Sequence, residues 1–419
     1  MTRTRDVYEE GDTGVTSSAY YRRMDPTRDR SDIDILDGNF YVSDPYSTYA
    51  WLRDNDPVHW DSTNQLWCIA RYDDIVEIER NKDLWISSGK TQGGYRPNIP
   101  ADDSLIGLDD PIHNRRRNLV SRRFTPRAVS AWQGAVREKV VALIEPVVAN
   151  GGGDIVRDLA APLPAMMIGK LLGFPDDDWP KLRDWSERTI ALGGGPRYFN
   201  EDGMNAAIEF GMTSAALYEE KKGCPVDDVM SVWTRSQIDG RSLTPEEVGS
   251  DCLLILDGGA ETTRTVIART LMDLDRRPAQ WQALQATADF TTATEEFIRF
   301  VTPIHNMCRT ASRDTELHGK SIRAGQQVVL MYSSANRDPA HFTDPEDLDV
   351  TRHPNNHLSF GFGTHFCLGA ALARLEIRTF FEEWVKRVAS FRIVPDSVVE
   401  MPNAFVFGVR AATIEVKAR

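Results

Sequence analysis

The run Phe360-Gly361-Phe362-Gly363-Thr364-His365-Phe366-Cys367-Leu368-Gly369 constrains this chain more than any other segment of it. Glycines at 361, 363 and 369 let the backbone turn tightly and approach a ligand closely. Apolar periodicity resumes at Leu368 and persists to about Val388, which predicts a helix starting directly after the sulfur of Cys367. The positive end of that helix favours a thiolate, and the N–H groups of the loop can donate to it. A loop this narrow can hold one sulfur beneath a flat macrocycle and offer it to a metal.

A second segment supplies complementary chemistry. Thr244-Pro245-Glu246-Glu247 carries a capping box with proline at the first helical position, predicting a long helix from Pro245 to about Arg276. Inside it stands Gly258-Gly259-Ala260-Glu261-Thr262-Thr263. Each mid-helix glycine costs about 1 kcal/mol relative to alanine. Either the helix packs closely on a neighbour there, or it opens space for a small ligand beside a hydroxyl and a carboxylate that can donate and relay protons.

The rest reads as a mainly α protein with small β-sheets. A hairpin is expected from Val58 to Trp60 and Leu66 to Ala70, with a polar turn between. Helices follow Pro278 and cover Thr294 to Phe300, and a strand spans Gln327 to Met331. The Pro- and Asp-rich stretch 337–356 disfavours helix. No repeat or linker divides the chain, so one large domain over residues 31–419 is expected after a flexible polar tail, residues 1–30.

A net charge of −13 argues against a general nucleic-acid binder, which needs a basic surface. Five widely spaced cysteines without a CxxC pair indicate neither a zinc site nor a disulfide framework. The first thirty residues lack the apolar run of a leader or anchor. The expectation is a cytoplasmic protein without a membrane span.

The cysteine run fills every position of FxxGx[HR]xCxG, the haem-binding loop of the cytochrome P-450 family, and the helical run fills that family's [AG]Gx[DE]T[TS] pattern. Glu296-Phe297-Ile298-Arg299 matches its ExxR motif, Arg352 its third partner, and His113 with Arg117 its HxxxR segment. The resemblance covers about Ile35 to Lys417 and is strongest to actinobacterial enzymes oxidising cholesterol-type side chains. It implies the P-450 fold, a triangular helical body with a minor β-rich region, and a haem b cofactor. Cys367 would be the iron ligand, with Phe360 shielding the sulfur and Gly369 completing the loop. His113, Arg117, Arg309 and His365 would hold the propionates. Thr262 would hydrogen-bond dioxygen, Glu261 would relay protons, and Glu296, Arg299 and Arg352 would form a structural triad. The implied reaction hydroxylates an unactivated C–H bond of a lipophilic steroid- or terpenoid-like molecule with O2, using two electrons from a ferredoxin and its reductase.

By the same analogy Leu254, Asp257, Gly258, Ile304, Asn306, Phe405 and Val406 line the substrate pocket. Asp257 departs from the steroid oxidisers, which carry an apolar residue there. It either meets solvent or a protein partner, as a hydrated acid near the proton channel would, or greets a polar or cationic group of the substrate. Arg115, Arg116, Arg122, Arg123 and Arg127 suggest a docking face for an acidic ferredoxin, and Trp85 to Leu108 reads as a mobile lid. Two other readings stay open: a peroxide-driven enzyme of the same fold, and a non-catalytic haem protein that senses or binds a ligand.

Overall fold

The computed structural model describes residues 32–419, so the expected tail lies outside the described residues. The long helix starts as its sequence dictates. The Glu247 N–H donates to Thr244 Oγ1 at 3.2 Å, the Thr244 N–H donates back to the Glu247 carboxylate at 2.9 Å, and Pro245 fills the first turn. This central helix runs Pro245–Asp275, about 46 Å at 1.5 Å per residue. Its second half is buried on nearly every side, as a helix threading the middle of a protein must be.

Around it pack the helices Pro162–Leu172, Trp179–Thr189, Glu201–Gly223, Phe290–Val301 and Ala370–Arg387. Their apolar faces join one core extending from Val120 to Ile414. The helix expected over Thr294 to Phe300 starts a turn earlier, at Phe290, because the Asp289 carboxylate accepts the N–H groups of Thr291 and Thr292. Two β-branched threonines in that first turn mask the start signal.

The largest sheet holds β1 (Val58–Asp61), β2 (Leu66–Ile69), β3 (Trp85–Ile86), β4 (Met307–Ala311) and β5 (Gln327–Leu330), in the order β1-β2-β5-β4-β3. The hairpin β1–β2 is antiparallel, with Gln65 at φ 58° closing its turn, and β5 lies parallel to β2. A three-stranded sheet joins Val388–Ile393, Thr413–Ala418 and Gly152–Asp154. Helix dominates and the sheets are small, as expected. Among the described residues no helix is long and apolar enough to cross a membrane.

The expected triad forms and is buried. Glu296 accepts two bonds from Arg299, at 2.7 and 2.8 Å, and further bonds from Arg352 Nε, Asn355 and the Asp349 N–H. Arg299 also donates to the carbonyl of Asn336, whose side chain holds the Leu358 N–H and the Ser359 hydroxyl. The triad therefore ties the irregular stretch to the threshold of the cysteine loop.

Candidate active site

The loop after Leu358 turns back on itself. Gly361 and Gly363 take φ of 68° and 67°, conformations that side chains resist. At Gly363 a Cβ would also lie 2.6 Å from the Glu79 carbonyl. The Cys367 N–H donates to the Phe360 carbonyl at 2.9 Å, and the helix begins at Ala370 with Gly369 as its cap. Burial pushes the Cys367 thiol up. The N–H groups of Gly369 and Ala370 and the guanidinium groups of Arg117 and Arg374 pull the other way.

Above the sulfur lies a cavity whose lining includes Cys367, Phe360, Gly369, His113, Arg117, Arg309 and His365. The last four come from three separate parts of the chain and gather on its rim. The rings of His113 and His365 lie 4.2 Å apart, and Arg117 donates to the Phe366 carbonyl at 2.6 Å. Burial, reinforced by Arg309, pushes His365 down to about 2, so its imidazole is neutral. His113 Nδ1 is buried and lies 3.6 Å from the Asp110 carboxylate.

Glu79, which the sequence did not single out, lines this cavity and takes Arg309 Nη2 at 3.0 Å and the Tyr332 hydroxyl at 2.8 Å. Its helix, Tyr72–Arg80, looks like an ordinary amphipathic segment, and only the chain's return at Arg309 reveals the pairing.

The opposite wall is the central helix. Leu254, Asp257, Gly258, Gly259, Thr262 and Val266 face the cavity. A Cβ on Gly258 would meet nothing within 4 Å, whereas one on Gly259 would lie 2.8 Å from Ile168. Both readings of the glycine pair hold, one per residue. Gly258 leaves open space and Gly259 admits a packed neighbour. Thr262 lines the cavity, and its Oγ1 donates to the Gly258 carbonyl at 2.8 Å. Glu261 points away from it. Its carboxylate meets Arg264 Nη1 at 3.2 Å, and Arg264 reaches the partly exposed Glu187 at 2.6 Å. Burial raises the Glu261 carboxyl above its ordinary range.

Ile304 and Phe405 line the cavity as expected, but Asn306 and Val406 do not. Asn306 Nδ2 is used inward, on the Ala404 carbonyl and the Tyr41 hydroxyl. Val406 is fully buried and bridges to Ile304 as backbone partner, so alternation turns its side chain from the wall.

The segment from Trp85 to Leu108 covers the cavity through Tyr95, Arg96, Leu105 and Ile106, as a lid would. It is tied down along its length, however. Gln327 Nε2 donates to the Gly94 and Arg96 carbonyls, the Cys308 N–H donates to Tyr95, and the Leu105 N–H donates to Asp251.

The basic cluster is also less free than its sequence implies. Arg116 is buried against Asp251, Arg115 pairs with Asp239 and Arg123 with Asp227. Arg122 and Arg127 stay exposed, beside the helix of the cysteine loop.

Residues 275–417 match the Cytochrome P450 family. A steroid C26-monooxygenase of Mycobacterium tuberculosis is 38% identical over 91% of this chain and 96% of that protein. A methyl-branched lipid omega-hydroxylase of Mycobacterium bovis is 33% identical over 91% of each. Among solved structures, CYP109E1 from Bacillus megaterium in complex with testosterone superposes with a TM-score of 0.82 at 32% identity, over 90% of this chain and 99% of that one. CYP268A2 from Mycobacterium marinum in complex with pseudoionone gives 0.83 at 31%, over 90% and 96%.

Proposed function

The chain belongs to the cytochrome P450 family of haem b-dependent monooxygenases, and on that premise we propose that it hydroxylates an unactivated C–H bond of a steroid or similar terpenoid-like lipid with electrons from a ferredoxin and its reductase. The observation that carries this reading is one sulfur on the floor of a largely apolar cavity, with basic side chains on its rim and Thr262 opposite.

The donor set suits haem b. Cys367 offers a sulfur already approached by backbone donors and two guanidinium groups. Arg117, Arg309, His113 and His365 offer a cationic and hydrogen-bonding rim for two carboxylates. Phe360 and Leu372 provide apolar surface for a flat ring. When bound, the haem iron supplies the redox chemistry that activates dioxygen.

The balance is RH + O2 + 2 e⁻ + 2 H⁺ → ROH + H2O. The chain's own residues bind the lipid, exclude water and deliver the protons. Ile168, Ile190, Leu254, Ile304, Met307 and Phe405 form an apolar enclosure for the substrate. Thr262 sits where its hydroxyl can exchange the Gly258 carbonyl for a ligand in the cavity. Glu261, next to Thr262 in sequence, is the protonatable group whose carboxyl burial raises, and Arg264 pairs it with the partly exposed Glu187. On the outer face, exposed Arg122 and Arg127 form the basic surface that receives an acidic ferredoxin.

The test is reconstitution with a ferredoxin, its reductase and a cholesterol-type steroid. NADPH, O2 and hydroxylated product are expected in equal amounts. Product from hydrogen peroxide alone, with no dependence on the ferredoxin, would replace this reading by the peroxide-driven one.

A further inference from the structure

Two charged side chains in the cavity have no part in holding the cofactor. Asp257, on the central helix, is only 6% exposed and yet lines the cavity. One of its oxygens accepts the Thr189 hydroxyl at 2.8 Å. Arg96 faces the same space from the covering segment. Its guanidinium lies 4.5 Å above the Phe405 ring and 5.5 Å from that of Tyr95. Its Nε is buried without a hydrogen-bond partner, and among the described residues no carboxylate pairs with it. Its place is made by Gly193, where a Cβ would lie 1.8 Å from Arg96 Nη1 and 2.6 Å from Phe405. A glycine thus seats a guanidinium in the same cavity that a buried carboxyl lines, near enough to lower that carboxyl's pKa but with no ion pair between the two.

An uncompensated buried polar group is costly unless something meets it. A substrate ammonium would face Arg96, and a substrate carboxylate would face Asp257; each gains one partner and opposes the other. A hydroxyl satisfies both, accepting from Arg96 and donating to Asp257, without adding charge. We propose that Arg96 and Asp257 form a polar subsite that grips a hydroxyl group of an otherwise apolar substrate and so fixes the orientation of that molecule in the cavity.

This inference rests on the lipid-hydroxylase reading above. It also explains why a chain so similar to steroid oxidisers carries an acid in the wall.

The test is a spectral titration of the haem protein with three molecules sharing one skeleton: cholesterol, cholest-5-ene, which lacks the oxygen, and cholest-5-ene-3β-carboxylate. Cholesterol should bind about tenfold or more tightly than the hydrocarbon, as a hydrogen bond to a charged group allows. Arg96→Met and Asp257→Leu should each bring that ratio close to one, with retention of the thiolate-type carbon monoxide spectrum showing that the fold survives. Equal affinities in the wild type overturn the subsite but leave the monooxygenase untouched. Tightest binding by the carboxylate also overturns it, making Arg96 an anion site. If no sterol binds, the steroid reading fails instead, and hexadecanol, hexadecane and hexadecanoate decide the subsite by the same ratio.

Discussion

Thr189 Oγ1 donates to Asp257 Oδ1 at 2.8 Å, so the end of the helix Trp179–Thr189 is hydrogen-bonded to the middle of the central helix across the cavity wall. The contact steadies an acid in a place that disfavours its charge. Burial pushes the Asp257 carboxyl up to about 7, with Glu261 adding to the rise and Thr189, Arg96 and Ser186 opposing it.

That elevation has a sign in stability. In the unfolded chain the carboxyl loses its proton near pH 4, and in the folded one near 7. Between those values folding takes up a proton, so stability falls as pH rises from about 4 to 7 and stays low above. Asp257→Asn removes the penalty. The variant should gain up to about 4 kcal/mol at pH 8, less at pH 5 and nothing at pH 4. Urea unfolding of both proteins across that range measures it, and a gain independent of pH would contradict the assignment.

The paired glycines should respond in opposite directions. Gly258→Ala places a methyl in open space and removes a helix penalty, so it should stabilise by up to about 1 kcal/mol while crowding the cavity and weakening lipid binding. Gly259→Ala drives a methyl into Ile168 and should destabilise by about 1–3 kcal/mol. Thermal unfolding with lipid titration separates the two, and the same sign for both would refute the division of roles.

Thr262→Ala removes the cavity-facing hydroxyl while leaving the helix and the cysteine loop in place. The variant should retain its thiolate-type spectrum and its NADPH consumption, yet divert most reducing equivalents to hydrogen peroxide. The ratio of product to NADPH reads this directly. An unchanged ratio removes the hydroxyl from proton delivery.

Glu296 is the shared carboxylate of two buried guanidinium groups, those of Arg299 and Arg352. Glu296→Ala leaves both charges buried and should cost at least about 3–5 kcal/mol. Because such a chain can fail to fold, Glu296→Gln is the informative partner, keeping one acceptor oxygen without the charge and setting an amide NH2 against the remaining donors. It should fold, unfold at lower denaturant, and lose haem faster, since Asn336 couples the triad to Leu358 and Ser359.

Replacing both Arg122 and Arg127 by glutamate should raise the ferredoxin concentration needed for half-maximal turnover, steeply at low salt and little at high salt. Arg115→Gln, whose charge is already met by Asp239, should do much less. Equal effects would place the docking surface elsewhere.

Where chemistry is written in contiguous residues, the sequence alone determined it. The cysteine loop needs glycine at left-handed positions, the central helix needs its capping box, and both patterns declare themselves within a dozen residues because backbone conformation is a local property. Distance in sequence hid the rest. Glu79 meets Arg309 across 230 residues, Asn306 turns from the pocket to serve Tyr41 and Ala404, and Arg116 sinks against Asp251 rather than joining a surface patch. Arg96 acquires its place only through the vacancy at Gly193. Pairing between distant charges and the choice of which side chain faces a cavity depend on how whole elements pack, and that was decided by the tertiary structure.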